Sequence, residues 1–210
     1  MRKETVERNT KETKISCSIN LDGTGVANIS TGIGFLNHML ELFVHHSLID
    51  MDLKTDGDIN VDLHHSVEDT AYAIAQATTR ALGEKKGIRR YGFFYVPMDE
   101  CLTRCVIDFS GRPELIWKVK LGLEKIGEMD TELFLEFFKA FTNEARCNLH
   151  IENIYGHNNH HIIESCFKSF AKSYRIAIEI DERRKKNGAF HPVCSYCCKR
   201  GYTRFRMETS

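Results

Sequence analysis

Two short runs of the sequence carry side chains able to hold a metal ion: His64-His65-Ser66-Val67-Glu68 and His160-His161-Ile162-Ile163-Glu164. Imidazole and carboxylate without thiolate suit Mn²⁺, Fe²⁺ or Zn²⁺, and six-coordination with open positions favours Mn²⁺. In each run the ligands stand at i, i+1 and i+4. On a helix, at about 100° per residue, they project at roughly 0°, 100° and 40° and share one face. Adjacent histidines diverge by about 100°, so one ion does not readily take both. Two ions can, if each run gives one histidine to each. The spacing therefore predicts a dinuclear, quasi-symmetric centre. A single His-His pair on a helix is usually a capping or surface feature; the second copy, with the same Glu, carries the metal reading. Aligning the runs sets His38 opposite Glu136, each on the helix preceding a ligand helix. The candidate ligands are then His38, His64, His65, Glu68, Glu136, His160, His161 and Glu164. A nitrogen–oxygen centre of this kind can polarise a substrate or take a substrate nitrogen as a ligand. His157 reads as an exposed loop residue and His45 as a bystander beside His46.

The elements that must position these ligands read as a repeat. Ile15, Cys17, Ile19 and Leu21 alternate with polar neighbours before Asp22-Gly23-Thr24-Gly25, which predicts a strand entering a hairpin. Phe35, Leu36, Met39, Leu40 and Phe43 keep helical spacing over 34–44. Residues 48–53 and 59–63 alternate as strands around Asp56-Gly57. From His64 to Leu82 the positions Val67, Ala71, Ile74, Ala75, Thr78 and Leu82 mark a long helix face, closed by Gly83 and Gly87. Residues 95–121 read as further strands, broken at Ser110-Gly111-Arg112-Pro113. The second half follows suit: a helix over 133–141, a strand around Leu149-His150-Ile151, a Tyr155-Gly156 turn, and a long helix over 160–178. Both halves run helix, strands, helix, and both long helices open at a His-His pair. This predicts an α+β fold of two equivalent modules, 1–92 and 93–181, related by a pseudo-twofold axis, with 182–210 as an atypical tail.

Composition narrows the classes. Apolar content of 42% with 28% charged residues is that of a soluble globular chain. A formal net charge of zero predicts no nucleic-acid or acidic-membrane partner, so phosphate recognition must come from local cations. The polar start has no signal-peptide core, and no apolar run approaches the roughly 20 residues that span a bilayer. A cytoplasmic location follows as the expectation. Cys17, Cys101, Cys105, Cys147 and Cys166 stand singly among apolar residues and read as small buried hydrophobes in a reducing compartment. Cys194, Cys197 and Cys198, near His191, lack the second pair that a zinc site needs.

The run from His64 to Asp69 and the run from Gly156 to Glu164 resemble the two signature motifs of the imidazoleglycerol-phosphate dehydratase family. Residues 8–13, 21–25, 35–40 and 108–113 match that family in order, so the resemblance covers residues from about 6 to 180. It implies a duplicated α+β unit of the ribosomal protein S5 domain 2-like kind. It also implies a hydro-lyase of histidine biosynthesis that converts imidazole glycerol phosphate to imidazole acetol phosphate. With these come two Mn²⁺ ions per site and a 24-subunit homo-oligomer built from trimers. No carbonyl acidifies the substrate C–H bond, so metal ions on the two ring nitrogens would stabilise a ring anion able to expel the hydroxyl. The resemblance makes the eight ligands above the metal shell, with Glu136 standing where the family often has His. Proton transfers must accompany loss of water; Glu12 is the first choice for them and His46 the second. Arg90, Arg112 and Lys168 match phosphate contacts, for which guanidinium forks and an ammonium charge are suited. The tail departs from the pattern. Family members end in a Pro-Ser-x-Lys-Gly segment that closes over the phosphate, whereas here Gly188 is followed by Ala189-Phe190-His191-Pro192 and a Cys-rich, basic stretch. That departure implies weaker substrate binding, and a second reading as a metal-binding oligomeric homologue with reduced or lost activity.

Overall fold

The structure, a computed structural model, describes residues 2–185. The first half contains β1 (Lys3–Asn9), β2 (Thr13–Asn20), β3 (Ala27–Ser30), α1 (Gly34–Ser47), β4 (Asp50–Gly57) and α2 (His64–Leu82). The second half begins with β5 (Tyr91–Met98), β6 (Cys101–Asp108) and β7 (Glu114–Lys118). A small hairpin, β8 (Lys125–Ile126) and β9 (Met129–Asp130), precedes α3 (Glu132–Ala145), β10 (Asn148–Tyr155), α4 (Asn159–Ile178) and the single turn α5 (Glu182–Lys185).

The two halves have the same topology. One sheet runs β1-β2-β4-β3, the other β5-β6-β10-β7. In each, the last strand lies parallel to its neighbour while the other pairs are antiparallel. Among the described residues the β8–β9 hairpin has no counterpart in the first half. The predicted α+β duplication is therefore the architecture. The expected break between residues 92 and 93 falls inside β5, whose first residue is Tyr91.

Each long helix lies on its own sheet, α2 against β1 and β2, α4 against β5 and β6. Each also packs on the shorter helix of the other half, giving the pairs α1–α4 and α2–α3. The halves thus exchange helix partners and share one continuous core. Burial explains the elements. In β2 the residues Thr13, Ile15, Cys17 and Ile19 point inward and alternate with more exposed neighbours. Along α2, Ala71, Ala73, Ala75 and Ala77 are buried and keep the helix close to its sheet. The inward face of α4 is aromatic instead, with Phe167, Phe170 and Tyr174 fully enclosed. Gly92 permits that helix to lie directly on β5, because a Cβ there would collide with the backbone carbonyl of Ser173. No helix among the described residues is long and apolar enough to cross a membrane.

One strand is unforeseen, and two local expectations are corrected. Strand β1 carries no apolar alternation, since Val6 alone is buried along it; it forms by pairing with β2 as an edge. Residues 59–63 form no strand: β4 ends at Gly57, and Val61 is 78% exposed. The turn after β2 leads not into a hairpin but into β3, which pairs with β4 in parallel. The five cysteines of the body are buried and unpaired as expected. Burial pushes the thiols of Cys17, Cys105 and Cys147 up to about 12, so they stay neutral and inert.

Candidate metal centre

The start of α4 is capped by a side chain. The Asn158 side chain caps the helix, accepting from the backbone N–H of His160 (2.9 Å) and His161 (3.3 Å). One turn on, Glu164 is buried; its Oε2 lies 3.1 Å from His160 Nε2 and its Oε1 2.5 Å from Lys168 Nζ. Burial alone pushes the Glu164 carboxyl up, but Lys168 and His160 outweigh it and hold the group below the usual carboxylate range. Glu164 is therefore an anion with one oxygen committed to a cation and the other turned toward His160. Helix α1 brings the third group. The rings of His38 and His160 are 6.1 Å apart, and Phe35 meets His160 edge-on at 5.2 Å.

Ligand atoms of His38, His160 and Glu164 all lie within 4.8 Å of one another. Bonds of about 2.1 Å place ligands across an ion about 4 Å apart, so this set fits one divalent first-row cation with small adjustments. Two imidazoles and a carboxylate also match the donor chemistry read from the sequence.

The matching region of the first half is looser. His64 Nε2 and Glu68 Oε2 are 3.9 Å apart and both side chains are partly exposed. Helix α2 has no side-chain hydrogen bond at its N-cap, Leu63. His65 is held instead by Asp58, whose Oδ2 lies 3.1 Å from its Nδ1. That hydrogen bond raises the His65 pKa, and the charges of Asp58 and Glu12 add to the effect. Glu136 is the fifth residue of α3 as His38 is the fifth of α1. Its carboxylate pairs with Lys139 at 3.1 Å. His64, His65, Glu68 and Glu136 thus form no three-ligand group with one another or with His38 among the described residues.

The remaining candidates divide. His46 faces α4; burial lowers its pKa, and Lys172, His45 and Lys168 lower it further. It is neutral at pH 7 and able to accept a proton. Lys168 lies beside Glu164. Arg90 is clamped by Asp108, with Nε–Oδ1 2.6 Å and Nη2–Oδ2 3.0 Å. Arg112 is exposed in the turn after β6. The tail cysteines, His191 and the stretch after Gly188 lie outside the described residues. Sequence reasoning missed Glu100 and Asp99, which meet His161 at 2.8 and 3.6 Å, as well as Asp58 and Asn158. Asn158 had a signal, a capping residue just before a ligand helix. Glu100 had none, being 61 residues from the ring it touches.

The family model for imidazoleglycerol-phosphate dehydratase matches residues 31–174, a span holding every candidate named above except Glu12. The chain belongs to the imidazoleglycerol-phosphate dehydratase family. It is 54% identical over 179 residues to the imidazoleglycerol-phosphate dehydratase of Sinorhizobium fredii, covering 85% of this chain and 89% of that one. The Hahella chejuensis enzyme is 53% identical over 182 residues, covering 87% and 92%. Among solved structures, the imidazoleglycerol-phosphate dehydratase of Staphylococcus aureus matches with a TM-score of 0.78 at 41% identity, over 85% of this chain and 99% of that one. The Pyrococcus furiosus enzyme in complex with (S)-C348 matches with a TM-score of 0.73 at 29% identity, over 88% and 100%. Membership in the imidazoleglycerol-phosphate dehydratase family makes the chain a hydro-lyase.

Proposed function

We propose that the chain dehydrates imidazole glycerol phosphate to imidazole acetol phosphate, a step of histidine biosynthesis, in the cytoplasm. The observation that carries this is the gathering of His38, His160 and Glu164 in a chain so similar to enzymes named for that reaction. Two Mn²⁺ ions would be held by His38, His64, His65, Glu68, Glu136, His160, His161 and Glu164. When bound, they would supply Lewis-acid stabilisation of negative charge on the substrate ring. The α2 ligands stand apart from the α4 group, which supports a centre completed by a second copy within a 24-subunit assembly of trimers.

The chain's own residues do the rest. Glu12 takes the carbon-bound proton onto its carboxylate and, once protonated, gives it to the departing hydroxyl so that water leaves; His46, kept neutral by its lowered pKa, is the second candidate to accept the carbon-bound proton. Lys168, Arg112 and Arg90 bind the phosphate, Arg90 through the Nη1 that Asp108 does not occupy. The test is product formation from imidazole glycerol phosphate by the purified full-length chain, before and after chelation. Turnover lost with EDTA and restored by Mn²⁺ is the expected result. Stoichiometric bound Mn²⁺ with no turnover would favour a metal-binding homologue that has lost catalysis.

A further inference from the structure

The two histidines of each pair are held differently. The first, His64 or His160, faces the Glu one turn later on its own helix. The second, His65 or His161, turns away and meets a carboxylate from outside that helix. His161 Nδ1 lies 2.8 Å from Glu100 Oε2, and His65 Nδ1 lies 3.1 Å from Asp58 Oδ2. The two carboxylates come from unrelated places in the repeat, Glu100 from the β5–β6 turn and Asp58 from the loop after β4. Yet both engage the same ring nitrogen. An ionised carboxylate only accepts, so each Nδ1 carries the hydrogen; in the neutral ring Nε2 then keeps its lone pair, and on His161 that nitrogen lies 3.6 Å from Asp99 Oδ2.

We infer that Glu100 and Asp58 are positioning residues that fix the tautomer and ring direction of His161 and His65, so that Nε2 of each is presented to a divalent cation. Metal-bound histidines generally donate the other ring N–H to such a partner, which also makes the ligand nitrogen more basic. Glu100 is itself fixed, accepting from the backbone N–H of Asn158 at 2.8 Å. Asp58 adds an independent sign. Its Oδ1 is buried with no hydrogen-bond partner among the described residues, a costly arrangement for a carboxylate unless the other oxygen serves a purpose. The inference rests on the metal reading above and extends it to two residues that are not themselves ligands.

The test is Mn²⁺ binding to the full-length protein, followed by loss of the six-line resonance of the aqua ion. Glu100→Ala and Asp58→Ala should weaken binding about 10- to 100-fold. Glu100→Gln and Asp58→Asn keep an acceptor oxygen and should recover part of that loss, which a merely structural role does not predict. Glu152→Gln, which disturbs a surface pair with Arg104, should bind as the unaltered protein does. Metal-free melting of every variant is read first; if an alanine variant is unfolded, the amide variants carry the test. Carboxylate variants that bind Mn²⁺ as tightly as the unaltered chain would overturn this inference alone. An unaltered chain that binds no Mn²⁺ would overturn the metal reading and this inference with it.

Discussion

The openings of α2 and α4 carry the same ligand pattern in very different states of preparation. At α4 the helix is capped by Asn158, Glu164 is buried between His160 and Lys168, and His38 arrives from α1. At α2 the N-cap residue Leu63 offers no side-chain hydrogen bond, His64 and Glu68 stand 3.9 Å apart, and Glu136 is paired with Lys139. The packing beneath follows the same division, aromatic under α4 and largely alanine along α2. The difference teaches that duplicating a motif does not duplicate its environment. In one half the fold itself gathers the ligand groups, and in the other the same residue types stand apart.

The largest effect that would sharpen this contrast is in the packing. Phe170 touches Phe43, Phe138, Phe141 and Tyr174, so Phe170→Ala should cost about 3–5 kcal/mol by chemical denaturation. A cost near 1 kcal/mol would mean that the aromatic cluster does not stiffen the α4 side. Next come the two glutamates. Glu164→Ala and Glu68→Ala should each lower turnover by at least about 100-fold, since loss of a supporting group already costs 10- to 100-fold. Only Glu164→Ala should also lower the metal-free melting temperature, by about 3 °C or more, because it strands Lys168. Equal melting temperatures for the two variants would break the comparison.

Smaller still is the cap. Asn158→Ala should cost about 1 kcal/mol, while Asp62→Ala, which loses only a 3.2 Å bond from the His64 backbone N–H, should cost less. The smallest effect distinguishes the starts of β4 and β10, where Asp50 and Asn148 stand in corresponding places. Backbone N–H groups of Thr24 and Val26, with the Asn20 amide, hold the Asp50 pKa at about 2. A folded pKa below the unfolded value contributes stability above pH 3.8 that is lost as pH falls toward 2. The stability gap between the unaltered chain and Asp50→Asn should therefore close across that window in urea titrations. A gap that stays constant would show that the Asp50 charge is not what secures the loop.

How much of this was legible in the sequence depended on the range of the interaction. Helix α2 has the predicted bounds, because 19 residues of regular periodicity outweigh local noise. The ligand face of α4 was legible for the same reason, as i, i+4 spacing fixes His160 against Glu164. Strand β1 was not, since an exposed edge needs no apolar alternation and Val6 is its single buried residue. Residues 59–63 misled in the opposite direction: Ile59, Val61 and Leu63 alternate, but no neighbouring strand is left to pair with them beyond Gly57. Arg90 was read as a phosphate contact by type and motif, and nothing local announces its clamp onto Asp108, 18 residues on. The Glu100 contact was invisible for that reason too, while Asp58 lies only seven residues from His65, just before a stretch read as a strand rather than a loop.

The β8–β9 hairpin gives the duplication a direction. Its approach is tied to α4 by the Gly122 N–H donating to Asn159 Oδ1 at 3.0 Å, and with Leu123, Ile126, His157 and His160 it lines a cleft of about 580 Å³. Among the described residues no hairpin of this kind precedes α1. Two identical half-sites would accept an unsymmetrical molecule equally well in either sense, like a key with no top edge. A wall on one flank only adds to the difference that His38 and Glu136 already make, so the two halves present unlike surroundings.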